Sequence, residues 1–198
     1  MLLRSNNFMV KNIAIFASGT GTNAKKIIEY FSGRTDIKVN FVVSNKEAAP
    51  VLNMAQSFGI ETLIINRAYF YKSEDILQEL NQKGIDFIVL AGFLWLIPDY
   101  LVNAYTNQMI NIHPALLPKY GGKGMYGMNV HRAVKLAGEK ESGISIHYVN
   151  AKYDEGNIIF QAACSLDESD SPETIAQKVR TLEHQHFAPI IESLITRR

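Results

Sequence analysis

Short apolar runs alternate along the chain with stretches that repeat apolar residues every three or four positions. Residues 12–18, NIAIFAS, are apolar and close on glycines, the pattern of a strand buried on both faces. From Thr22 to Phe31 the apolar positions are Ala24, Ile27, Ile28 and Phe31, which is helical spacing. The alternation continues with strands over 37–44, 62–66 and 86–92 and a short one over 109–113. Between them, helices are predicted over 50–58 and 73–83, the latter with Ile76, Leu77 and Leu80 on one face and Gly84 as its stop.

Four strand–helix alternations in about ninety residues predict an α/β fold with a doubly wound, mostly parallel sheet. The last third differs. Strands over 143–149 and 157–163, joined by a turn at Asp154-Glu155-Gly156, predict an antiparallel or mixed edge. A final helix starts at Ser171-Pro172, an N-cap followed by proline at the first helical position. It turns Ile175, Val179, Leu182 and Phe187 inward, and Pro189 is expected to bend or break it. The expected architecture is a three-layer, Rossmann-like sheet with a C-terminal antiparallel strand pair.

Composition narrows the function classes. The 198 residues, 47% hydrophobic, suit one domain, with no repeats, linker or low-complexity tract. Twenty basic and 19 acidic residues leave a net charge of +1, with no excess to draw nucleic acid or a membrane surface. The single cysteine, Cys164, excludes an intrachain disulfide and a multi-cysteine metal site, and reads as a small core residue. The longest apolar run, Phe87 to Ile97, is too short to span a bilayer. The first ten residues lack the long apolar stretch of a signal peptide. A soluble, cytoplasmic protein is expected.

Two constellations carry candidate chemistry. Ser18-Gly19-Thr20-Gly21-Thr22-Asn23 lies between the first strand and the first helix, where flexible backbone, unpaired N–H groups and helix dipole together suit a phosphate. Gly19, Gly21 and Ala24 also satisfy the dinucleotide-binding pattern. That pattern expects a carboxylate at the end of the second strand, and none stands there before Glu47. NAD is therefore disfavoured; Ser44, Asn45 and Lys46 leave NADP open, and the turn would also serve as a plain strand–helix connection.

The second constellation is Asn111 and His113. Two apart in a strand, they project to one side while Ile112 packs to the other. They stand at the carboxyl end of a parallel strand, beside the crevice where such folds bind ligands, and Pro114 ends the ladder. An amide donor beside an imidazole is able to stabilise charge on a carbonyl oxygen, and the imidazole to move protons near neutral pH. A surface or structural histidine fits the same pattern. Asp154, on the turn where Gly156 permits unusual geometry, is the best carboxylate to orient the imidazole, although acids at turns are commonly turn formers. His147, in an alternating strand, reads as buried and hydrogen-bonded. His131 is expected to start the helix after the glycine-rich loop, and His184 and His186 lie on the final helix. No metal-ligand spacing is present.

The segments ASGTGTN, LAGFLWLI, INIHPALLPKY, SIHYVNAKYDEGNIIFQ and LEHQHFAPII occur in an order and spacing similar to those of the phosphoribosylglycinamide formyltransferase family, over nearly the whole chain. The resemblance implies formyl transfer from 10-formyltetrahydrofolate, without a metal, to the primary amine of 5-phosphoribosylglycinamide in de novo purine biosynthesis. It implies a single domain over 1–198, with a phosphate-binding half over about 11–92 and a catalytic, folate-binding half over about 93–198, as monomer or homodimer. It casts Asn111, His113 and Asp154 as the catalytic trio, with His113 as an imidazolium. It places the substrate phosphate and ribose at Gly19, Thr20, Gly21, Thr22, Asn23 and Glu183. It gives the folate pocket walls as Leu94, Trp95, Leu96 and Ile97 with Asn150 and Tyr153. Two departures stand out: the family often has arginine where Trp95 stands, and the segment 121–130, GGKGMYGMNV, is longer than usual and reads as a flap. A formyltetrahydrofolate hydrolase, a sugar-amine formyltransferase and an NADP-binding module are the alternatives.

Overall fold

The computed structural model describes residues 10–197, so the reading of the first ten residues, Val10 apart, lies outside the described residues. Seven strands form one sheet: β1 (Lys11–Phe16), β2 (Ile37–Ser44), β3 (Glu61–Ile64), β4 (Ile85–Leu90), β5 (Met109–His113), β6 (Glu141–Tyr148) and β7 (Ile158–Ser165). Their order is β3-β2-β1-β4-β5-β6-β7. The first five pair in parallel; β6 lies antiparallel to β5, and β7 to β6. The predicted parallel sheet with an antiparallel C-terminal pair is the one observed.

The central strands are apolar on both faces because helices cover both. α1 (Thr22–Phe31), α2 (Pro50–Ser57), α6 (Met128–Leu136) and α7 (Pro172–Thr196) bury one face, around Ile13, Ile15, Val89 and Ile146. α3 (Arg67–Tyr71), α4 (Asp75–Gln82) and α5 (Asp99–Ala104) bury the other, around Phe16, Phe41, Phe70 and Ile88. The chain winds outward from β1 through β2 and β3, then returns to add β4 and β5 on the other side. This reversal opens a crevice at the carboxyl ends of β1 and β4. Ser18 N–H donates to the Gly92 carbonyl at 3.0 Å and Leu94 N–H to Ser18 Oγ at 2.9 Å, which ties the two strand exits together.

Three local expectations change. α3 and α5 have five and six residues, too short for an apolar period to show; α3 is set by its cap, Asn66 Oδ1 accepting from Tyr69 N–H at 2.9 Å. α6 begins at Met128 rather than His131, because Gly127, at φ 53° and ψ −135°, turns the chain into the helix three residues sooner, and His131 is buried within it. Pro189 does not break α7, which runs 25 residues to Thr196. Pro189 and Gln185 both lie exposed, so the carbonyl deprived of its intrahelical partner meets water.

Candidate active site

The glycine turn is shaped by packing at one position and by open space at another. Gly21, the N-cap of α1, has φ 76°, and a Cβ there would stand 2.5 Å from Val51 Cγ2, so only glycine fits. A Cβ on Gly19 would meet nothing within 4 Å. α1 has no side-chain cap and no acidic residue in its first turn, so its first N–H groups are available to an anion. Asn45, one residue on which an NADP 2′-phosphate would rely, accepts from Ser18 Oγ at 2.5 Å and so braces the turn.

Asn111, His113 and Asp154 converge. His113 is 3% exposed; its Nε2–H donates to the Tyr120 carbonyl at 2.8 Å and its Nδ1 lies 3.5 Å from Asp154 Oδ2. Asn111 Nδ2 donates to His147 Nε2 at 3.1 Å and to Asp154 Oδ1 at 3.3 Å. Asp154 Oδ2 also accepts from Gly122 N–H at 2.9 Å, which joins the glycine-rich segment to the site. The strained backbone on this turn belongs to Asp154 itself, at φ 57°. Gly156 is required for a different reason: its α-hydrogen faces the Tyr148 carbonyl, where a Cβ would not fit.

Two cavities meet at this cluster. The larger, about 510 Å³, runs from Thr22, Asn23 and Glu183 past His131 to His113, with Gly122–Gly127 along one side. The second is a narrow cleft walled by Trp95, Leu96 and Ile97 on one side and by Asn150, Lys152 and Tyr153 on the other. Asn111 and Asp154 line both. Leu94 is the exception among the expected folate-pocket walls: it faces the larger cavity, held by the Ser18 hydroxyl. Gly19 and Thr20 lie on the exposed turn, outside the cavity lining. The cleft is about 60 Å³, well under the roughly 300 Å³ of ordinary ligand pockets, so a bicyclic ring entering it must part its walls.

Electrostatics separate the ionisable groups. Burial pulls the His113 pKa below its ordinary value, with Asp154 and the Tyr120 carbonyl opposing, so the resting ring is neutral at pH 7 with Nε2 protonated and the Nδ1 lone pair free. Burial works to raise the Asp154 carboxyl, but the His147 and His113 rings and the Gly122 N–H outweigh it and hold it low. Glu183 is raised by burial, against its hydrogen bond from Asn23 Nδ2 at 3.0 Å and the nearby Arg180. Asn23 Oδ1 and His131 Nδ1 are buried without a hydrogen-bond partner among the described residues, and both residues line the larger cavity. Orphaned polar atoms of this kind are costly unless a ligand or water meets them.

Burial, with Arg180 adding repulsion, pushes the His131 pKa down to about 4. The unfolded chain takes up this proton as pH falls through the ordinary value of 6.5, whereas the folded chain does not until about 4. Stability is therefore full above that ordinary value and falls toward acid, by about 2 kcal/mol between pH 7 and pH 5. Urea unfolding at the two pH values should show this loss, and His131→Asn should remove most of it.

Sequence reasoning assigned His147 only burial and a hydrogen bond, both of which hold; its place beside Asn111 comes from the β5–β6 register, in which the two residues are paired. Arg180, on the large cavity, was also missed. It stands three residues before Glu183 on α7, so helical spacing places it on the same face once Glu183 is assigned. Among the described residues no cluster of three His, Cys, Asp or Glu is placed to hold a metal, and no helix is long and apolar enough to cross a membrane.

Known proteins resemble this chain over nearly its whole length. The family model described as formyl transferase matches residues 11–191. The phosphoribosylglycinamide formyltransferase of Bacillus subtilis (strain 168) is 35% identical over 193 residues, spanning 94% of this chain and 95% of its own length. The chloroplastic phosphoribosylglycinamide formyltransferase of Arabidopsis thaliana is 39% identical over 95% of this chain, which spans 66% of that relative. The crystal structure of phosphoribosylglycinamide formyltransferase from Bacillus halodurans superposes with a TM-score of 0.82 at 34% identity, covering 93% of this chain and 95% of its own. The chain belongs to the formyl transferase family, among the phosphoribosylglycinamide formyltransferases.

Proposed function

We propose that the protein transfers the formyl group of 10-formyltetrahydrofolate to the primary amine of 5-phosphoribosylglycinamide, a step of de novo purine biosynthesis, with residues 1–198 acting as one formyltransferase domain. The observation that carries this reading is the meeting of two cavities at Asn111 and Asp154. A group handed from one bound molecule to another needs such a shared wall.

The half up to about residue 92 seats the phosphate: the 19–23 turn and the start of α1 bind it, and Arg180 supplies a cation. Glu183, its carboxyl pKa raised by burial, and the orphaned Asn23 Oδ1 face the ribose hydroxyls. The pterin enters between 95–97 and the 150–154 loop. The amine attacks the formyl carbon and the carbonyl oxygen becomes anionic. Of the two Asn111 N–H bonds, the longer, to Asp154, is the one this oxygen replaces. His113 Nδ1 takes a proton from the attacking nitrogen, and the imidazolium formed beside Asp154 becomes the second donor to the oxyanion. Collapse breaks the carbon–nitrogen bond to the folate, whose nitrogen receives that proton, leaving a formamide and tetrahydrofolate. In this reading the imidazolium forms during the reaction.

Incubation with both substrates should yield the formylated ribonucleotide by mass spectrometry. Formate without a formylated acceptor would instead indicate a hydrolase, and transfer only to a sugar amine the corresponding transferase. Tight calorimetric binding of NADP with no response to the ribonucleotide would overturn the enzyme reading altogether.

A further inference from the structure

We infer that a third cavity, beside Tyr120, binds a short alkyl ammonium of the aliphatic diamine class and is linked through Tyr120 to the His113 ring. The cavity, about 330 Å³, lies between the 116–120 segment, α6 and the start of β6. It shares no lining residue with the two cavities that meet at Asn111 and Asp154. Leu116, Leu117, Pro118 and Val134 make its apolar walls. Its open polar groups are acceptors. Glu139 Oε1 accepts from Lys119 Nζ at 2.9 Å and from Tyr120 Oη at 2.8 Å, which leaves Oε2 without a partner among the described residues. The Glu141 carboxylate pairs with no cation among them. Ser142 is 2% exposed, and its hydroxyl is buried with no hydrogen-bond partner among the described residues. A buried hydroxyl left unmet is costly, and an occupant of the cavity relieves it.

Charge and shape choose the occupant. Glu139 and Glu141 against Lys119 leave the lining net negative, which disfavours an anion. The Lys119 side chain is 67% exposed, so its pair with Glu139 is a surface one that a ligand cation displaces at little cost. Apolar walls suit a hydrated inorganic ion poorly, and among the described residues no cluster is placed to hold a metal. A primary ammonium has three N–H donors for Glu139 Oε2, Glu141 and Ser142 Oγ, and its methylenes match the apolar walls. Tyr120 joins this cavity to the catalytic cluster. Its hydroxyl is held by Glu139, while its carbonyl accepts the His113 Nε2 proton at 2.8 Å, on backbone at φ 57°. A cation that draws Glu139 from the Tyr120 hydroxyl therefore disturbs the residue that fixes the His113 tautomer.

Calorimetric titration with putrescine tests occupancy, with uncharged 1,4-butanediol as the control and about 0.15 M salt to screen surface pairing. Carbon-13 NMR of the His113 ring tests the link, and neither readout requires formyl transfer. Wild type should bind putrescine at least about tenfold more tightly than the diol, the range of one charge-assisted contact. The His113 Cε1 resonance should shift with the same midpoint. Glu141→Gln should weaken putrescine binding by about tenfold, and Ser142→Ala, which removes the unmet hydroxyl, by about fivefold. Tyr120→Phe should still bind putrescine but lose most of the His113 shift. Equal affinity for diamine and diol, or putrescine binding unchanged in Glu141→Gln, would overturn the site. A His113 resonance unmoved in wild type, or moved as far in Tyr120→Phe, would overturn the link.

Discussion

His113→Ala is expected to lower the turnover of formyl transfer by about 10²–10³-fold or more, and Asn111→Ala by at least about 10²-fold. Each substitution removes one of the two donors proposed for the oxyanion, in a site where His113 is 3% exposed and water competes poorly. The histidine variant also loses the group that carries the proton between nitrogens, so its loss should be the larger. Because His113 Nε2 holds the Tyr120 carbonyl at 2.8 Å, the variant will melt somewhat lower. Turnover measured at saturating substrates, well below the melting temperature, separates chemistry from stability. Near-normal turnover in either variant would remove the trio from the mechanism.

Gly156→Ala should destabilise the fold by about 3 kcal/mol and cripple turnover together, the upper range for forced overpacking. Its Cβ would stand 1.6 Å from the Tyr148 carbonyl oxygen and 2.7 Å from the carbonyl carbon, and neither is a side chain able to swing aside. Tyr148 N–H donates to Asn157 at 3.0 Å, so relief requires opening the end of the β6–β7 ladder. The same carbonyl receives the His147 Nδ1 proton at 2.8 Å, which makes Nε2 the acceptor for Asn111. Asp154, two residues earlier, is carried on the same turn. The comparison is Gly138→Ala, at φ 65° with nothing within 4 Å, where only about 1–2 kcal/mol of backbone strain is expected. Urea denaturation of both variants tests the difference. An active Gly156→Ala with a wild-type midpoint would refute the close-approach account.

Legibility of the sequence follows the range of the forces involved. The starts of α1 and α7 were readable because capping residues, glycines and prolines act over a few positions. Strands β2 and β5 were readable for a similar reason: their apolar pattern repeats locally. That Asn111 and His113 share a side follows from strand alternation alone. Helices of five and six residues, and the passage of α7 through Pro189, were not readable, since each is decided by what packs or fails to pack against it.

By itself, the amino-acid sequence determined a doubly wound α/β domain, an anion-suited turn after the first strand, and an amide–imidazole pair at the end of the fifth, because periodicity and turn chemistry are local. Tertiary structure alone decided that His147 stands opposite Asn111, that Asp154 reaches the His113 ring from a strained turn, and that Glu183 meets Asn23 across 160 positions. Strand register and the azimuth of a packed helix are set by the fit of distant surfaces, which no short stretch of chain encodes.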